Sequence, residues 1–261
     1  MTVSQNWIGV GRTETGYVRT SNQDTLALLD DCGVWMVADG MGGHPAGDVA
    51  AQTAVAMATE RARAGAGRLR EDSGTAAEFV ADLVTSANRR IHDIVLEIPS
   101  LKGMGTTFVA LAITSSPTSV AHIAHLGDSR AYLYRTGQLT QLTRDHTLVE
   151  TLIQRGLIDA TAALTHPERH ILTKALGMGV DMKADLISTP VTPDDLLVLC
   201  SDGLTKMLED AAIASVLSRV NGDPHRACHD LIEQALIRGG EDNVTVVVVA
   251  SVPSAFPGFS H

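Results

Sequence analysis

Val34-Trp35-Met36-Val37-Ala38-Asp39-Gly40-Met41-Gly42-Gly43-His44 is an apolar run that ends on a carboxylate and a glycine-rich loop. Its length and its β-branched and aromatic content suit a buried strand. The figure recurs along the chain. Ile123-Ala124-His125-Leu126 leads into Gly127-Asp128, Leu196-Leu197-Val198-Leu199-Cys200-Ser201 leads into Asp202-Gly203, and Glu241-Asp242-Asn243 stands directly before Val244–Ala250. A buried strand delivers its terminal residue to the rim of the core, where a carboxylate reaches water while packed neighbours hold it. Several such rims on neighbouring strands gather negative charge, which is costly unless cations compensate it. Oxygen ligands without a Cys or His cluster suit magnesium or manganese rather than zinc. One Asp-Gly pair by itself is an ordinary hairpin turn. The weight lies in several of them occurring with a glycine-rich loop and an arginine motif. The loop Asp39–Gly47 is no P-loop, since no Gly-Lys-Ser/Thr follows. Its glycines let backbone approach a metal or phosphate closely and leave the Gly40 carbonyl free as a ligand.

Outward from these rims, Phe108–Thr114, Val120–Leu126 and Ala131–Tyr134 read as further strands. Asp48–Ala64 is Ala-rich helix material, and Thr75–Ile98 places Phe79, Leu83, Ala87, Ile91, Ile94 and Ile98 on one helical face. Leu148–Leu157, Met207–Val220 and Pro224–Arg238 are weaker helical segments, with Pro224 suited to a first turn. Ala64–Gly74 reads as a mobile connection and the tail 253–261 as frayed. Strands and helices come in blocks rather than alternating strictly, which predicts an α+β fold. The 261 residues, 44% of them hydrophobic, fit one domain spanning 1–252. The formal charge of -10 argues against nucleic acid as a partner. Cys32, Cys200 and Cys228 form no disulfide framework, and neither a secretory signal nor a membrane-length apolar run is visible. A cytoplasmic monomer is the expectation.

The chain resembles the metal-dependent protein phosphatases of type 2C (the PPM family) in their compact bacterial form. The resemblance runs from about Thr13 to Ala250. It is carried by Gly16-Tyr17-Val18-Arg19-Thr20-Ser21-Asn22-Gln23-Asp24, Val37–His44, Met104-Gly105-Thr106-Thr107 and Leu126-Gly127-Asp128-Ser129-Arg130. Leu142–Thr147, Leu172–Gly177, Cys200–Leu204 and Gly240–Thr245 complete it. It implies a four-layer α-β-β-α sandwich, two antiparallel sheets flanked by helices, with metals at one end. It implies a serine/threonine phosphatase in which Asp39 bridges two manganese or magnesium ions. Asp202 and Asp242 would hold one ion and the Gly40 carbonyl the other, and a water between the ions would attack phosphorus in line. Arg19 would clamp the phosphate, its planar fork holding two oxygens, and Asp24 would support the metal-bound waters or orient Arg19. Read alone, Arg19 is a surface residue paired with Asp24 or Glu14. Residues 145–177 match the family's flap beside the active site. The expected partners are phosphorylated proteins, including a bacterial serine/threonine kinase and its signalling substrates.

Four positions depart from the family pattern. Gln23 replaces a Glu beside the second metal and loses its charge. Glu14 replaces an Asp. Lys206 stands where relatives often place an Asp, which weakens the case for a third ion, for which Asp128 is the candidate ligand. Met41 follows the Asp-Gly pair where eukaryotic relatives carry histidine, leaving His44 as the candidate general acid. His225 and His229, at i and i+4, read as a solvated helix face rather than a zinc site. The competing readings are a phosphatase dedicated to one regulator and a pseudophosphatase scaffold.

Overall fold

The computed structural model describes residues 5–41, 46–65, 73–114 and 118–253. His44 and its loop neighbours, residues 66–72 of the connection and 254–261 of the tail lie outside the described residues. The strands are β1 (Gln5–Glu14), β2 (Asp24–Leu29), β3 (Val34–Met41), β4 (Gly105–Thr106), β5 (Phe108–Thr114), β6 (Val120–Leu126), β7 (Arg130–Arg135), β8 (Gln138–Gln141), β9 (Asp185–Pro190), β10 (Leu196–Cys200) and β11 (Val244–Pro253). The helices are α1 (Ala46–Gly65), α2 (Ser73–Glu97), α3 (Leu148–Gln154), α4 (Ala160–Leu164), α5 (Asp202–Thr205), α6 (Asp210–Leu217) and α7 (Pro224–Ile237).

One sheet runs β1-β11-β10-β7-β8 and the other β2-β3-β5-β6-β9, with β4 paired to β3. All pairings are antiparallel. The strands expected at Phe108–Thr114, Val120–Leu126 and Leu196–Cys200 have those bounds. Period-2 alternation sorts each central strand between two layers. In β3, Val34, Met36 and Ala38 pack under α1 and α2, whereas Trp35 and Val37 enter the space between the sheets. In β10, Leu196, Val198 and Cys200 pack under α6 and α7, whereas Leu197 and Leu199 turn inward. In β11 the outward set is Val244, Val246 and Val248, and the inward set Val247 and Val249. Three apolar layers thus stack helix on sheet on sheet on helix, the four-layer α+β sandwich.

Several boundaries differ from the sequence reading. β1, β2, β8 and β9 lack the continuous apolar runs that marked the central strands, because they lie at or next to sheet edges and bury less. The segment expected as one helix over 207–220 is helical only from Asp210, after the separate turn α5. α3 stops at Gln154, short of Leu157, where Gly156 takes a positive φ of 67°. The three cysteines are free and buried. No helix among the described residues is long and apolar enough to cross a membrane.

Candidate active site

The inward faces of the strands carry the site. Asp39 shares its parity with Trp35 and Val37, Ser201 with Leu197 and Leu199, and Thr245 and Asn243 with Val247 and Val249. Asp24 is the cross-strand partner of Asp39. At one end of the sandwich the apolar layer between the sheets therefore gives way to a polar one. The carboxylates come from both sheets rather than from adjacent strands of one.

Asp24 closes that end. Its Oδ2 accepts hydrogen bonds from Ser201 Oγ at 2.8 Å and Thr245 Oγ1 at 2.7 Å, both on the opposite sheet. Its Oδ1 is buried without a hydrogen-bond partner. Burial pushes its carboxyl up to about 6, against the two hydroxyls and helped by Asp202 and Asp242. Arg19 is not its partner.

Neither Asp-Gly pair is a hairpin turn. β3 runs on through Asp39 and Gly40, which pair with Asp24 and Thr106. The Asp39 N–H donates to Thr107 Oγ1 at 3.0 Å, and its carbonyl accepts from Thr106 Oγ1 and the Thr107 N–H, both at 2.9 Å. Thr107 Oγ1 in turn contacts Ser129 Oγ at 2.7 Å. Gly40 is required by packing: a Cβ there would lie 2.2 Å from the Gly47 carbonyl oxygen at the start of α1. Asp202 opens α5, and a Cβ on Gly203 would lie 1.9 Å from the Asn243 carbonyl oxygen. That close approach sets Asp202 beside Asp242. Asn243 staples the Arg19 loop to β11: its Nδ2 donates to the Thr15 and Ser21 carbonyls at 2.9 Å, and its Oδ1 accepts from the Gln23 N–H at 2.9 Å. Sequence reading had Asn243 only as part of a motif, since its role lies in contacts more than 200 residues away along the chain.

These residues line a cavity of about 420 Å³ that holds Asp39, Asp128, Asp202, Asp242, Arg19 and Lys206. Burial, then Asp24, Asp202, Asp128 and Asp242, hold the Asp39 carboxyl well above the usual carboxylate range. Burial pushes Asp128 up to about 7, helped by Asp202 and Asp145 and opposed by Lys206. Asp242 behaves oppositely. Burial would raise it, but Lys206 and Arg19 outweigh that and hold it low. Arg19 pairs with Asp242 through two nitrogens, Nη2 donating to Oδ2 at 2.9 Å and Nε lying 2.8 Å from Oδ1. It pairs with neither Asp24 nor Glu14, the latter being taken by Arg12 at 2.8 Å. Lys206 Nζ lies 2.5 Å from Asp202 Oδ2 and 2.9 Å from Asp242 Oδ2.

The donor set is all oxygen, as a hard divalent cation requires. Asp202 Oδ1 is buried with no hydrogen-bond partner, an acceptor aimed at nothing the protein supplies. On both counts the residues fit magnesium or manganese. Among the described residues no three His, Cys, Asp or Glu side chains are gathered closely enough to hold an ion as they stand. Asp202 and Asp242 meet instead through the Lys206 ammonium.

The segment 145–177 borders one side of the cavity through His170 and Leu172. Thr147 caps α3 by accepting from the Glu150 N–H, Asp159 caps α4, and bridges Thr147–Leu172 and Thr106–Leu176 tie its ends. Its His170 lines the cavity, which no spacing in the sequence foretold. His146 is not at the cavity. It stacks on His125 at 4.5 Å between ring centroids, accepts from the Gly127 N–H at Nδ1, and sets Nε2 3.3 Å from Asp185. His225 and His229 are exposed on α7, as expected of a solvated face.

A sequence profile described as protein phosphatase 2C matches residues 14–231. The chain is 37% identical over 244 residues to the serine/threonine phosphatase stp of Listeria innocua, covering 91% of this chain and 93% of that one. It superposes on the serine/threonine phosphatase PstP/Ppp of Mycobacterium tuberculosis with a TM-score of 0.81 at 35% identity, over 94% of this chain and 98% of that one. The catalytic domain of PstP in complex with two manganese ions matches with a TM-score of 0.79 at 34% identity, over 94% and 99%.

Proposed function

The chain belongs to the protein phosphatase 2C family and is a serine/threonine protein phosphatase, and on that footing we propose that it works through two divalent ions held by Asp39, Gly40, Asp202 and Asp242. The observation that carries this reading is an imbalance of charge: five carboxylates converge on one end of the sandwich, and the cations among them are Arg19 and Lys206. Buried like charges of that number call for added positive charge. The two manganese ions of the PstP complex support the same count. Asp128, which lines the same cavity, is the candidate ligand for an additional ion.

Asp39 would bridge the two ions from the inward face of β3, its backbone fixed by Thr106 and Thr107 so that only the carboxylate needs to adjust. Asp202 and Asp242 would hold one ion, and the Gly40 carbonyl the other. When bound, the ions supply the Lewis acidity that polarises the phosphoryl group and activates a water for in-line attack. Arg19 would then exchange Asp242 for two phosphate oxygens, keeping its forked geometry. Asp24 stays behind the site and holds the two sheets together through Ser201 and Thr245. His44, which lies outside the described residues, is the candidate proton donor to the leaving serine or threonine oxygen, its competing reading being a structural histidine. The substrates would be phosphoproteins marked by a bacterial serine/threonine kinase and received beneath the flap.

The test is hydrolysis of a phosphothreonine peptide with and without manganese, comparing wild type with Asp242→Asn. Manganese-dependent release that collapses in the variant supports the two-metal reading. A folded, manganese-treated wild type that releases no phosphate from several phosphopeptides would overturn it and favour a scaffold.

A further inference from the structure

Lys206 joins the two carboxylates that are assigned to one metal ion. Its ammonium is 2.5 Å from one carboxylate and 2.9 Å from the other. An ion that takes the same two oxygens has to compete with the ammonium for them and meets its positive charge. The lysine is well seated. Its side chain is 29% exposed and the two carboxylates 17% each, and it closes an i, i+4 pair with Asp202 across α5. The remaining Asp202 oxygen has no hydrogen-bond partner.

We propose that Lys206 is a displaceable internal counter-ion: it neutralises Asp202 and Asp242 while the site is metal-free and competes with the ion that those two carboxylates bind. This rests on the assignment of Asp202 and Asp242 as metal ligands. Its physical basis is that two half-buried carboxylates side by side repel each other unless a cation joins them. The ammonium fills that need without metal, on a four-carbon stem flexible enough to leave. Its charge also reaches Asp128. The cost is affinity: every ion that enters has to break two contacts of the lysine.

Lys206→Met keeps the length of the side chain and removes the charge. Manganese binding is measured by calorimetry on wild type, Lys206→Met and Asp242→Asn, with thermal unfolding of the first two in chelator and in saturating manganese. The expected result is manganese binding about tenfold tighter in Lys206→Met, the scale of a partly desolvated ion pair. Its melting temperature should fall below wild type in chelator and reach or exceed it in manganese. A lysine that merely packs would lower the melting temperature in both conditions. Equal or weaker manganese binding in Lys206→Met, with Asp242→Asn abolishing binding, overturns the counter-ion role and leaves the metal ligands standing. Absence of binding in all three proteins overturns both, with the ligand assignment as the part that failed.

Discussion

The molecule buries aspartates in two ways. Asp195 and Asp145 are each held by the fork of one arginine. Asp195, its side chain fully buried, accepts from Arg135 Nε at 2.8 Å and Nη2 at 2.6 Å and from the Thr192 N–H at 2.6 Å. Burial would raise its carboxyl, but these partners hold it below the usual range. Asp145 takes the matching fork from Arg130. At the end of the sandwich, Asp24, Asp39, Asp128, Asp202 and Asp242 share Arg19 and Lys206, and three of them are driven upward. Asp195 and Asp145 are matched to arginines by the fold itself. The five carboxylates at the end of the sandwich share two cations, both of which contact Asp242, so Asp24, Asp39 and Asp128 are left short of positive charge.

The contrast breaks most visibly under substitution. Asp39→Asn should lower turnover of a phosphothreonine peptide by roughly a thousandfold, the scale of losing a central charge-stabilising contact. The same change should leave the melting temperature of the metal-free chain equal or higher, because it removes one of several repelling charges. Asp195→Ala should do the reverse: about 1–2 kcal/mol of stability lost by denaturant unfolding, since the Thr192 N–H loses its acceptor while the half-exposed Arg135 turns to water. Its kcat per folded molecule should not change. Gly203→Ala tests the joint between the two kinds of region, because its methyl would collide with the Asn243 carbonyl. About 1–3 kcal/mol of stability should go with it, together with weaker manganese binding as Asp202 moves from Asp242.

The smallest effect is a pH dependence. Burial, then the neighbouring His125, pushes His146 down to about 4 from the ordinary 6.5, so the folded chain keeps it neutral. The unfolded chain takes up that proton first as pH falls. Stability is therefore fully present above about pH 6.5 and is lost between there and about pH 4, by on the order of 2 kcal/mol. Thermal unfolding across that range should show a shallower loss in His146→Gln than in wild type.

Much of this was legible in the sequence where burial was continuous. The central strands β5, β6 and β10 declared themselves as apolar runs, and Asp39, Asp128, Asp202 and Asp242 were conspicuous because each interrupts or borders one. β1, β2 and β9 were not legible, since strands at or near an edge need not be apolar on both faces. The packing role of the glycines was not legible. Gly40 and Gly203 are also required by backbone packed against them, from Gly47 at the start of α1 and from Asn243. Arg19 pairs with Asp242, 223 positions away, and Lys206 with the same residue, 36 positions away. Residue identity indicated that a cation was present; only the three-dimensional arrangement showed which carboxylate it holds.

The most direct test of the central claim is the number of manganese ions bound per chain, measured by calorimetry on the wild type and on Asp39→Asn. The account predicts two ions on the wild type and loss of both when the bridging carboxylate becomes an amide. Two ions retained by Asp39→Asn, or phosphopeptide hydrolysis by a wild type that binds none, would contradict it.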